Sequence, residues 1–205
     1  MQNTDAQKVV AVYGSAATEP HEPEYAEAVV LGEALAKAGY AVMTGGYAGM
    51  MGAVSKGAAE AGGHVIGVTV GMFKERGLVP NPFLHEEIHL PTLSARLNHL
   101  IVAPDAYVVL KGGAGTLSEF SLAWSLLQVG EIPARPLITV GPLWRAIVPH
   151  LVTEGTLIPA DLRWVTLLDK GEEVVPTLEA WWRNPPQISL RLGDVQKTPA
   201  LGDPE

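Results

Sequence analysis

The sequence predicts a doubly wound α/β domain built on a mainly parallel sheet with helices on both faces. Three observations carry that prediction. Short, nearly continuous apolar runs alternate with longer segments of helical period, the pattern of strands buried on both faces. Turns rich in small residues follow the first, second and fifth of these runs, where open α/β sheets bind ligands. The 205 residues are 47% hydrophobic, enough for one domain with its own core.

In chain order, "KVVAVYG" (8–14) reads as a buried strand. Residues 22–40 read as a helix opened near Pro23 and closed at Gly39. "YAVMTGG" (40–46) is a second strand, 49–63 a second helix with a Gly stop, and "HVIGVTV" (64–70) a third strand. Residues 71–85 are expected to be loop-like, with Pro80, Asn81 and Pro82 as breakers. "EEIHL" (86–90) is a short strand, and 92–104 is a helix with Thr92 as its cap. Residues 105–113 form a strand and 115–130 a helix. The alternation continues through 135–141, 143–155, 164–169 and 171–182. The domain is expected to span 1–183, with a Pro-rich, polar tail over 184–205 that is mobile or draped on the surface. No internal repeat is visible.

Composition excludes several classes. Without Cys there are neither disulfides nor thiolate metal sites. The polar N-terminus does not resemble a signal peptide, and no apolar run approaches the ~20 residues of a membrane span. A soluble cytoplasmic protein is expected. The formal net charge of −8, with Lys and Arg scattered singly, disfavours nucleic acid as a partner. An anionic ligand must therefore be drawn by local donors.

Two glycine-rich turns are candidates for such donors. In "TGGYAGMMG", Gly45 and Gly46 permit a tight turn and close approach of a ligand, although glycines there can equally serve turn and packing geometry. The first turn, "YGSAAT", lacks the dinucleotide fingerprint, the second strand ends in Thr44-Gly45 without an acid for a ribose, and no P-loop pattern is present. In "KGGAGTLSE", Gly112, Gly113, Ala114 and Gly115 can expose successive backbone N–H groups at a helix start, where the helix dipole favours phosphate. Thr116 adds a hydroxyl. A competing explanation is a capping box, with Glu119 reaching back to the Thr116 backbone N–H. Arg96 falls near the margin of the apolar stripe Leu93, Leu97, Leu100, where an arginine is usually a surface residue. "HEEIH" (85–89) fits the H-E-x-x-H expression of zinc proteases, but Pro82 and Pro91 leave no room for the helix that chemistry needs. On a strand the two imidazoles would lie ~13 Å apart, so no metal site is expected. The five tryptophans at 124, 144, 164, 181 and 182 are read as core or interface packing.

Taken together, "GGYAGMMG", "KGGAGTLSE" and the intervening Arg96 resemble the LOG (Lonely Guy) family, whose members were formerly mistaken for lysine decarboxylases. The likeness runs in order and spacing over roughly residues 8–140. It implies a Rossmann-like domain, commonly dimeric, that cleaves a nucleoside 5′-monophosphate, especially a cytokinin ribotide, to free base and ribose 5-phosphate. By the same resemblance the 112–116 turn, joined by Lys111 and Ser15, would hold phosphate and ribose, as would Gly45 and Gly46. Glu119 would face the sugar and stabilise its oxocarbenium-like transition state, with Arg96 balancing the carboxylate or orienting the substrate. No cofactor is implied. Lys111 stands where the family usually has proline, and Leu97 where cytokinin-activating members usually have lysine. The alternatives are a molybdenum-cofactor carrier of the same superfamily and a nucleotide-binding regulatory module.

Overall fold

The computed structural model describes residues 7–154 and 159–186. Seven strands form one parallel sheet: β1 (Val9–Tyr13), β2 (Ala41–Thr44), β3 (Val65–Val70), β4 (Glu86–Leu90), β5 (Ala106–Val109), β6 (Leu137–Val140) and β7 (Thr166–Leu168). Their spatial order is β4-β3-β2-β1-β5-β6-β7. The connections carry α1 (Pro23–Lys37), α2 (Met50–Glu60), α3 (Gly71–Glu75), α4 (Leu93–Val102), α5 (Ala114–Val129) and α6 (Pro142–Thr153), and α7 (Val174–Arg183) follows β7.

The period of two along each strand divides the core into two layers. Val10, Val12, Val42 and Val108 face one way, onto Leu31 and Leu35 of α1, Ala53 and Val54 of α2 and Leu178 of α7. Ala11, Tyr13, Tyr107 and Val109 face the other way, onto Leu100 of α4, Phe120 and Trp124 of α5 and Trp144 of α6. Helices α1 and α2 come close because Gly32 and Gly57 leave room: a Cβ at either would stand 2.1 or 1.9 Å from a carbonyl oxygen of the other helix. Trp124, Trp144 and Trp164 are buried in the second layer, as expected. Trp181 and Trp182 are half-buried and meet edge to face.

Thr92 caps α4 by accepting a hydrogen bond from the Ala95 N–H (3.1 Å). Two expectations need correction. Residues 71–85 are not all loop: the first five form α3, held by Phe73 packing edge-on against Tyr47 at 5.5 Å. The expected helix over 171–182 begins as a 3-10 turn, Gly171–Glu173, where the Glu173 carboxylate accepts from the Asp169 and Lys170 N–H groups. The expected tail lies outside the described residues from 187 onward.

Candidate active site

Because β2, β1 and β5 are neighbours, the turns that follow them meet at one edge of the sheet. β1 lies at the reversal of strand order, the place where such sheets bind ligands. The backbone laces the turns together: Ser15 N–H donates to the Lys111 carbonyl (3.0 Å) and Met50 N–H to the Ser15 carbonyl (2.8 Å). That last contact requires glycine at 49, where φ is +70° and a Cβ would stand 2.3 Å from the Ser15 oxygen. Above the turns opens a cleft of about 410 Å³.

One side of the cleft is polar. Gly113 is the N-cap of α5 and supplies no side-chain cap, so the N–H groups of Ala114, Gly115 and Thr116 have no intrahelical acceptor. Thr116 therefore lies inside the first turn rather than at the cap. The capping-box explanation of Glu119 is thereby removed, since that box needs Thr116 at the N-cap. Gly113, Gly115, Thr116 and Glu119 all line the cleft. The Thr116 side chain is buried beneath Gly112, where a Cβ would stand 2.2 Å from its Oγ1.

Arg96 is not the surface residue its position on the stripe suggested: it is 7% exposed. Its Nε donates to the Val68 carbonyl (2.7 Å) at the end of β3, and Nη2 donates to the Gly45 carbonyl (2.9 Å) after β2. These two bonds leave three of its five N–H groups for the cleft. The helix that carries it is fixed from below. Leu100 O cannot receive an intrahelical bond because residue 104 is proline, and the Tyr13 hydroxyl donates to it instead (2.7 Å). The Tyr107 hydroxyl donates likewise to Ile101 O, and Arg135 to Val102 O.

The Glu119 carboxylate is partly buried one turn into α5 and joins no hydrogen bond or ion pair among the described residues. Burial raises its pKa to about 7, against the opposing pull of Arg96. Desolvation lowers the Arg96 pKa, while Glu119 and Tyr47 raise it. The two charges thus act on one another through the cleft without closing a salt bridge. For the carboxylate, the effect of burial outweighs the pull of Arg96.

The other side of the cleft is apolar: Tyr47, Met51, Phe73, Leu78 and Leu93. Sequence reasoning missed this wall. Its signals were Tyr47 inside the first glycine motif and Phe73 and Leu78 in the 71–85 segment. Of the predicted residues, Ser15 and Gly45 line the cleft with Arg96, Gly113, Gly115, Thr116 and Glu119. Gly46 does not: it forms the turn at φ +81° beneath Thr69. Ala114 contributes its backbone to the first turn of α5. Lys111 and Gly112 line a separate side cleft of about 340 Å³, where the Lys111 ammonium donates to Glu24 (2.9 Å). "HEEIH" ends as strand β4, and among the described residues no three ligating side chains gather to hold a metal.

A doubly wound parallel sheet, with an amide-rich helix start and a carboxylate sharing one cleft at the strand-order reversal, defines a Rossmann-like protein with its candidate site where such sheets bind ligands. Within that class the chain belongs to the SLOG cluster4 family, whose profile matches residues 7–129. It is 31% identical over 173 residues to a cytokinin riboside 5′-monophosphate phosphoribohydrolase of Mycobacterium tuberculosis, covering 81% of this chain and 90% of that protein. It is 28% identical over 145 residues to the Arabidopsis thaliana phosphoribohydrolase LOG5, covering 68% of this chain and 63% of that one, so it spans under two thirds of the plant relative. The solved structure of the molybdenum cofactor binding protein from Rippkaea orientalis superposes with a TM-score of 0.68 at 22% identity, covering 86% of this chain and 98% of that one. At that identity the likeness speaks for the fold alone.

Proposed function

We propose that this protein hydrolyses the N-glycosidic bond of a nucleoside 5′-monophosphate, releasing the free base and ribose 5-phosphate. The observation that carries this reading is the position of Glu119, an unpaired and partly buried carboxylate in the same cleft as the α5 amides and Arg96. The names of the sequence relatives support the reaction class.

In this reading the phosphate rests on the N–H groups at 114–116 with the Thr116 hydroxyl, and Ser15 closes the turn from β1. The ribose spans from there toward Glu119. As the C1′–N bond lengthens, positive charge grows on the sugar and the Glu119 carboxylate stabilises it. The same carboxylate takes a proton from the attacking water, whose oxygen bonds to C1′. The departing base carries away the bonding electron pair and takes a proton from solvent, and Glu119 gives up the proton it gained from the water to complete the cycle. Arg96, locked by the Val68 and Gly45 carbonyls, directs its remaining N–H groups at the sugar or phosphate. Tyr47, Met51, Phe73, Leu78 and Leu93 receive the base, and an apolar wall of that size suits an adenine bearing an apolar N6 substituent, as in a cytokinin ribotide.

The protein acts in this reading as a soluble cytoplasmic homodimer that binds no nucleic acid. The outer face of α5 offers Leu117, Ser118, Ser121, Ser125 and Val129 without a charge, and Leu93 and Val102 of α4 are also exposed. A second copy of this chain is the natural cover for such a face. Light scattering at micromolar concentration should give twice the chain mass, and a monomer would remove this part of the reading. The activity is tested by incubating the protein with a panel of nucleoside 5′-monophosphates and detecting released base. A protein that cleaves none of them yet binds a phosphorylated cofactor would belong to the carrier alternative.

A further inference from the structure

Beside the main cleft lies the side cleft of about 340 Å³, lined by Ser15, Ala17, Thr18, Glu22, Lys111 and the Gly112–Gly113 backbone. The two clefts share Ser15, Ala17 and Gly113, so they adjoin at the turn that begins α5. A phosphate on the α5 amides would stand at that junction. Its ester oxygen would lead to the ribose and Glu119, and any further group on the phosphorus would extend toward the side cleft. Room does not forbid such a group, because the side cleft is wide enough for a second phosphate.

Charge does. The N-cap of α1 brings Glu22 to this wall, the chain before Gly112 brings Lys111, and Glu24 stands behind Lys111 as its partner. Lys111 is held by Glu24 at 2.9 Å, with 63% and 35% of the two side chains exposed. Glu22 adds a second carboxylate, whose Oε1 accepts from the Glu19 N–H (3.0 Å). One ammonium against two carboxylates leaves the wall with one net negative charge. A second phosphate could recruit Lys111 only by stripping it from Glu24, which would then face that phosphate unpaired.

We propose that Glu22, Glu24 and Lys111 act as a charge filter that restricts the site to ligands whose 5′-phosphate carries no second phosphate. The proposal rests on the phosphate placement given above, and the residue choice is particular to this chain. Lys111 places a cation on this wall, and Glu24 neutralises it.

The test is calorimetric binding of AMP and ADP to the full chain, which reads affinity independently of turnover. Wild type should bind ADP at least about tenfold more weakly than AMP, the scale of a few exposed charge contacts. Glu22→Gln with Glu24→Gln turns the wall from −1 to +1 and should narrow that ratio by about tenfold. Lys111→Met takes the wall to −2 and should widen it. The shifts should shrink at high salt, because the groups are exposed. Thermal melts of each variant confirm folding, and a glutamine side chain at position 22 can still accept from the Glu19 N–H. Equal affinity of wild type for AMP and ADP, or a ratio that does not move in the double variant, overturns the filter. If AMP binds and no base is released from any monophosphate of the panel, only the hydrolytic reading falls. If neither nucleotide binds at millimolar concentration, the filter falls with the phosphate placement.

Discussion

In the turn after β2, a Cβ added at Gly45 would stand 2.1 Å from the Arg96 guanidinium, and one at Gly49 would stand 2.3 Å from the Ser15 carbonyl. In the turn after β5, a Cβ added at Gly113 or Gly115 would meet nothing within 4 Å. Both turns are glycine clusters between a strand and a helix, so sequence gives them the same description. In space the first is filled by the protein itself and serves to seat Arg96 and lace the strand ends together. The second is open at two of its glycines, and there the empty volume belongs to the cleft. A closed glycine turn protects geometry, whereas an open one leaves backbone N–H groups approachable.

The largest effect should come from breaking the closed turn. Gly45→Ala should displace Arg96 and lower turnover by more than ~10²-fold, the scale of losing one preorganised electrostatic contact. Overpacking there should also destabilise the fold by about 1–3 kcal/mol. Steady-state kinetics and a denaturant titration read the two losses, and unaffected turnover in Gly45→Ala would show that the seat of Arg96 is not needed.

Glu119→Gln comes next, with turnover down by ~10²-fold. Binding of AMP should persist or tighten because a nearby negative charge is gone. The capping box does not form, so no compensating stability loss is expected. Retained turnover would exclude Glu119 from the chemistry.

The ionisation of Glu119 supplies a third test. Its carboxyl titrates near 7 in the folded protein against 4.5 for an ordinary glutamate, chiefly because it is buried. Chemistry that needs the carboxylate should therefore give kcat/KM rising with pH up to about 7 and level above it. Between 4.5 and about 7 the folded chain binds more protons at this site than the unfolded chain, so this group's contribution to stability falls as pH rises through that window. Glu119→Gln should abolish that slope, and above pH 7 the variant should melt no lower than wild type. A kcat/KM profile flat across the window would contradict the assignment.

The smallest and most discriminating effect is at the open turn. Gly115 has no left-handed φ and lies in the first turn of α5 with free space beside it. Gly115→Ala should raise stability by roughly 0.5–1 kcal/mol. It should weaken AMP binding by about tenfold, because the methyl would occupy space the phosphate uses. Opposite signs in melting temperature and affinity would mark the turn as functional. A variant with unchanged affinity would make it structural, like its counterpart after β2.

The sequence by itself determined the fold class. Apolar runs such as "KVVAVYG" and "HVIGVTV" must be covered on both faces, and helical segments of matching period lie between them. It also marked the α5 turn, because glycines followed by Thr116 and Glu119 at a strand-to-helix junction are a local pattern. What only the tertiary structure decided depends on groups distant in the chain. Arg96 is buried because carbonyls 28 and 51 residues away meet its guanidinium, and no helical periodicity encodes that. Phe73 and Leu78 form a wall because α3 folds back toward Tyr47. Lys111 faces Glu24, 87 residues earlier, instead of serving the main cleft. The Glu119 pKa is raised to about 7 because the surrounding chain removes water from it, and the energy of a charge is set by everything packed around it rather than by its neighbours in sequence.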